Sequence, residues 1–140
     1  MTRLLKTEVK QTQLDVALLV LRIGIAAMML VHGLPKLQML LSGDVSQFPG
    51  VLGMSPGLSL ALATLAEVVC SVLILIGLGT RLASIPLLIT MLVAVLVVHA
   101  ADPFAAQELG LLYLLGYVVL LLLGGGRFSL DSVVTKRQQA

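Results

Sequence analysis

LLVLRIGIAAMMLVHGLPKL, residues 18–37, decides the fold. From Leu18 to Val31 it is apolar except for Arg22, and it then runs into His32, Gly33, Pro35 and Lys36. With the residues from Asp15 onward it reaches the ~20 residues that a helix needs to cross a hydrocarbon core of ~30 Å. The leader before it is polar, Arg22 interrupts it, and no small-x-small cleavage site precedes His32. It therefore reads as a retained span and not as a cleaved signal peptide. Gly33 and Pro35 mark its expected end, at about Leu34.

Working outward, three more segments have the same character, at about 58–78, 82–100 and 108–124. The whole chain of 140 residues is 59% hydrophobic and only 11% charged, with a mean hydropathy of +1.09. A soluble domain is about a quarter charged, and a chain this short cannot bury such an apolar excess inside a globule. Lipid must solvate it. A backbone in lipid has to satisfy its own hydrogen bonds, so each segment is helical. The expected fold is an all-α integral membrane protein, an antiparallel four-transmembrane-helix bundle. Its membrane domain covers 15–131, between a polar N-terminal tail at 1–14 and a polar C-terminal tail at 132–140, both loosely ordered.

The basic residues orient the bundle. Arg3, Lys6 and Lys10 precede it, Arg81 lies in the second turn, and Arg127, Lys136 and Arg137 follow the last span. Four spans place all seven on one side. By the positive-inside bias that side is the cytoplasm, giving an N-in, C-in protein of a bacterial inner membrane. Charge gathered at two ends suits a lipid surface and does not form a nucleic-acid patch. The single cysteine, Cys70, lies in an apolar run and reads as a small packing residue. One cysteine excludes a CxxC redox pair or a cysteine-rich metal site. No phosphate-binding glycine loop, HExxH or GxSxG is present.

The informative residues are those that lipid rejects. An ionisable side chain within a span faces the bundle interior and has a partner. Arg22 in the first span and Glu67 in the second are expected to pair, either as a structural tie or as a functional intramembrane ion pair. At about 100° per residue, Arg22, His32 and Lys36 share one face of the first helix, within about 80°. His99, Asp102, Glu108 and Tyr113 lie near the same outer surface. Together His32, Lys36, His99, Asp102, Glu108 and Tyr113 form a candidate ligand or proton site at the outer mouth. Histidine can donate to a carbonyl and exchange protons near neutral pH, as quinone chemistry requires. The competing reading is interfacial anchoring, with Lys and His snorkelling and the carboxylates at helix N-termini. Haem or metal ligation by His32 and His99 has no short ligand spacing behind it, so no metal is expected. The first outer loop, with Phe48, Val51, Leu52 and Met54, fits a segment lying over the bundle mouth.

Two cytoplasmic helix ends carry glycine followed by a basic residue: Gly77, Gly79 and Arg81 after the second span, and Gly126 and Arg127 after the fourth. Together with Arg22, His32-Gly33, Lys36, Glu67 and the closing Gly126-Arg127-Phe128-Ser129-Leu130-Asp131, this pattern resembles the DoxX family of small bacterial inner-membrane proteins. The resemblance runs over roughly 15–131. It implies a four-helix membrane protein, and DoxX/DoxD-like members are associated with membrane oxidoreductase complexes, including a thiosulfate:quinone oxidoreductase. The expectation for this chain is a membrane subunit of a redox system that binds quinone or a quinone-linked oxidoreductase partner. Catalysis by this chain alone is not expected, since it lacks a recognisable sulfur-chemistry domain. The alternatives are a small-molecule or proton-coupled transporter and a non-catalytic membrane scaffold. A homo-oligomer is compatible with the exposed apolar helices, although no interface is legible in the sequence.

Overall fold

The computed structural model describes residues 9–138, so Arg3 and Lys6 of the basic N-terminal tail lie outside the described residues. Among the described residues every regular element is helical. Four helices are long and apolar enough to span a membrane: α1, Gln11–Ser42; α2, Pro56–Ile76; α3, Thr80–Val98; and α4, Phe104–Leu123. A short fifth helix, α5, runs over Leu130–Gln138. The helices alternate in direction, so both described ends of the chain meet at one end of the bundle, where the Arg127 N–H donates to Asp15 Oδ1 at 3.0 Å. This is the termini end. The loops between α1 and α2 and between α3 and α4 form the opposite, far end.

The spans fall where the apolar runs lie, but the end of α1 does not. VHGLPK is interior to α1, which continues to Ser42 and is capped by Gly43 with φ +77°. Pro35 removes one intrahelical bond, a loss that membrane helices tolerate when neighbouring groups take over the freed carbonyl. The apolar residues that follow, Leu37, Met39 and Leu40, give the extra turns a face to bury. Pro86 also stands inside its helix, as the seventh residue of α3 counted from Thr80. Residues 132–138 of the expected loose tail belong to α5, which begins at Leu130, and Gln11–Leu14 of the other tail form the first turn of α1.

The core of the bundle contains Ile25, Ala26 and Met29 of α1, Ile74 of α2, Leu87 of α3 and Tyr117 and Leu120 of α4. Large apolar side chains such as Val20, Met28, Leu82 and Leu115 point outward, as a lipid-facing surface requires. Two helices contain a π-helical turn, Leu65–Cys70 in α2 and Ala94–Val98 in α3. Such turns are rare and cluster at functional sites. Here both lie toward the far end, at the same polar chamber.

Candidate functional site

Glu67 sits in the π turn of α2 and is 1% exposed. Its partner is Lys36 of α1, whose Nζ donates to Glu67 Oε1. The expected Arg22–Glu67 pair is not formed. Gly33 packs against Glu67: a Cβ at Gly33 would lie 3.1 Å from the Glu67 carbonyl carbon and 3.1 Å from its Cβ. Arg22 is eleven residues further down α1, about 16 Å along the axis, beyond the reach of its side chain. Lys36 is only three residues up and on the facing turn. Glycine at 33 thus lets the α1 backbone approach the α2 π turn closely enough for Lys36 to reach a buried carboxylate. The sequence had marked Gly33 as a helix breaker and as part of the family pattern, but not as a point of close helix approach.

A cavity of about 160 Å³ opens beside this pair, with His32, Tyr113, His99 and Gly110 among its lining. His32 meets Tyr113 edge-on, with ring centroids 5.9 Å apart and planes at 89°. Tyr113 stacks in turn on Tyr117, 6.1 Å away, at the i,i+4 spacing of α4. Gly110 leaves room for Val95 of the α3 π turn, since a Cβ there would stand 2.6 Å from Val95 Cγ2. His99 ends α3, its N–H bonded to Ala94 O in the five-residue pattern of the π turn. Its Nδ1 lies 2.7 Å from Asp102 Oδ2, and Gln107 Nε2 donates to the His99 carbonyl.

Of the six candidates at the mouth, His32, Lys36, His99 and Tyr113 therefore line one chamber, together with Glu67. Asp102 stands behind His99 on the rim. Glu108 is exposed in the second turn of α4 and does not line the chamber. Sequence reasoning missed Ser71 and Tyr117, buried below Glu67 with hydroxyls that lack hydrogen-bond partners. The i,i+4 spacing of Glu67 with Ser71, and of Tyr113 with Tyr117, was the available signal.

One more feature adjoins the chamber. An apolar groove of about 540 Å³ runs between α1 and α4, lined by Val20, Gly24, Met28, Leu112 and Gly116 among others, and it shares Leu109 and Tyr113 with the chamber.

The remaining motif residues assemble at the termini end. Asp131 accepts hydrogen bonds from the N–H groups of Gly79 at 2.6 Å and Thr80 at 2.9 Å. It caps the N-terminus of α3 from a different segment, where a carboxylate is favoured by both hydrogen bonding and the helix dipole. Its own N–H donates to Gly77 O at 2.9 Å. Arg22, 2% exposed, donates from Nη2 to the Phe128 carbonyl at 2.7 Å. Gly77, at φ +74°, leaves the space that the Arg22 guanidinium fills. Arg81 Nη2 donates to Leu122 O at 3.0 Å. Arg22, Gly77, Gly79, Gly126, Arg127 and Asp131 thus stitch α5 and the chain crossing before it onto the ends of α1, α2 and α3, and Arg81 ties α3 to the end of α4.

This is a four-helix membrane protein with a polar chamber near one face and a hydrogen-bonded closure at the other. The chain belongs to the DoxX family, whose model matches residues 17–100. It is 39% identical over 88 residues to an uncharacterised membrane protein of Mycobacterium tuberculosis, a match that covers 53% of this chain and 54% of that one. It is 31% identical over 123 residues to a Bacillus subtilis protein named putative oxidoreductase CatD, covering 87% of this chain and 90% of that one. No solved structure matches.

Proposed function

We propose that this DoxX protein is the membrane subunit of a redox system and holds a quinone, with the headgroup in the chamber and the isoprenoid tail in the α1–α4 groove. The observation that carries this reading is the shared wall. Leu109 and Tyr113 border both the polar chamber and the lipid-facing groove, so the two spaces adjoin, and an amphiphile that parts these two side chains would place its head in the first and its tail in the second. A quinone ring presents carbonyl oxygens as acceptors, and Lys36, His32 and Tyr113 offer donors around one small space. Reduction adds one electron and one proton to each carbonyl oxygen. The electrons would come from an oxidoreductase partner; the name of the Bacillus relative, putative oxidoreductase CatD, supports a redox role but names no partner. This chain would bind and orient the ring, with Glu67 and His32 as its proton-exchanging groups. Asp102 would hold the His99 ring in place at the rim.

The excess of Lys and Arg at the termini end supports an orientation with that end in the cytoplasm and the chamber toward the outer face of a bacterial inner membrane.

Native mass spectrometry of the protein extracted gently from its own membrane tests this. The expected result is a retained quinone mass in the wild type that is lost in His32→Ala while the bundle stays folded. Repeated recovery with phospholipid or a protein partner alone would remove the quinone reading and favour a scaffold or a transporter. A transporter would further show substrate-dependent proton movement in vesicles that fails in Glu67→Gln.

A further inference from the structure

A second cavity lies on the other side of the ion pair. Its volume is about 360 Å³, at the small end of the range for small-molecule sites of about 300–1,000 Å³. Phe48, Met54, Leu62, Ala63 and Val93 contribute to its apolar walls. Phe48, Pro49, Val51, Leu52 and Met54 of the 43–55 loop line one side of it, the loop being held in part by the Val51 N–H donating to Ser59 Oγ at 3.1 Å, while the exposed Leu62 and Ile89 leave it open between α2 and α3. Lys36, Glu67 and His99 form its polar end. The cavity is therefore separate from the α1–α4 groove and is flanked by a loop at the aqueous far end of the bundle.

The polar end is incomplete. Glu67 Oε1 accepts from Lys36, but Oε2 has no partner although the side chain is 1% exposed. Buried carboxylate oxygens are ordinarily bonded. Lys36 commits one of its three N–H groups to Glu67, which leaves donors to spare. The pair as a whole is neutral, so a charged ligand would bring an uncompensated charge into a desolvated space. A ketone or ether could accept from Lys36 but would leave Glu67 Oε2 bare. A hydroxyl answers both needs with one atom once the Glu67 carboxylate turns its buried, inaccessible Oε2 toward the cavity: it accepts from Lys36 Nζ and donates to Oε2.

We infer that this second cavity binds a small uncharged alcohol with a compact apolar body, its hydroxyl bridging Lys36 and Glu67. The site has its own apolar walls and shares Lys36, Glu67, Ala94 and His99 with the quinone chamber.

Methionine placement supplies the test. Met54 lines this cavity alone, Met29 and Met91 line the first chamber, and Met28 faces outward. The full chain in lipid nanodiscs, labelled with methyl-¹³C methionine, is titrated with menthol and with its ketone, menthone. Menthol should shift the Met54 resonance saturably, with little movement of Met29 and Met91. Menthone should bind at least about tenfold more weakly, the loss expected for one missing hydrogen bond to a buried group. Ala63→Leu, which fills the cavity, should abolish the Met54 response while Met29 and Met91 keep their native positions. Equal affinity for the two compounds, a Met54 shift that only tracks the lipid-exposed Met28, or an undiminished response in Ala63→Leu would overturn the inference. Quinone binding is read separately at Met29 and Met91, so either site can fail without the other.

Discussion

Replacing Lys36 with methionine keeps the length and most of the apolar stem of the side chain and removes its charge. The consequence falls on Glu67. Its Oε1 loses its partner and its Oε2 has none already, so a 1%-exposed carboxylate is left bare. The Gly33 backbone packs against its Cβ and carbonyl carbon and holds it at this depth in the bundle. Breaking a buried pair by removing one partner costs about 3–5 kcal/mol, whereas replacing both partners with apolar groups is often neutral or stabilising. Lys36→Met should therefore lose about 3–5 kcal/mol, and Lys36→Met combined with Glu67→Leu should recover most of that loss. Reversible unfolding of the four proteins of the cycle in mixed micelles, followed by circular dichroism, gives the coupling directly. A Lys36→Met variant within about 0.5 kcal/mol of wild type would mean that the pair is a solvated surface contact. A double variant no better than the single one would mean that Glu67 does not depend on Lys36. Either result would refute the description of the chamber wall.

Gly77→Ala should be among the most damaging single substitutions, at about 2–5 kcal/mol. It combines a left-handed backbone at φ +74° with a collision against Arg22 and Ser129, and the yield of folded protein reads the outcome. Asp131→Ala uncaps α3 and should cost about 0.5–2 kcal/mol. Hydrogen exchange should speed up in residues 130–138 and at Gly79 and Thr80, with little change around Glu67. Gly24→Leu fills the α1–α4 groove at a position with nothing within 4 Å of the new Cβ. It should weaken binding of a long-tailed quinone about tenfold or more while sparing a tailless headgroup analogue, and equal effects on both ligands would remove the groove from the binding site.

The residues that proved legible in isolation were those whose meaning is local. The apolar runs gave the four spans to within about a turn at most ends, because insertion in lipid depends on length and composition. The exception, the far end of α1, shows the limit: Gly33 and Pro35 carry breaker propensity, yet α1 continues to Ser42 because its packing against α2 outweighs them. His32, Lys36, His99 and Tyr113 were placed together from helix phase and depth alone. Asp102 and Glu108 share that depth but point elsewhere, to the rim and to the surface. The closing segment ending in Asp131 was visible as a pattern but not as a cap on a helix some fifty residues earlier in the chain.

The sequence by itself determined that this chain is a four-helix membrane protein with polar groups concentrated near one end, since the hydrophobic effect and backbone hydrogen bonding act on each segment alone. The tertiary structure decided the partners. Arg22 and Glu67 each require a counterpart in the low-dielectric interior, but two candidate cations on one helix can be told apart only by axial register. The close approach at Gly33 fixed that register, giving Glu67 to Lys36 and leaving Arg22 to close the opposite end.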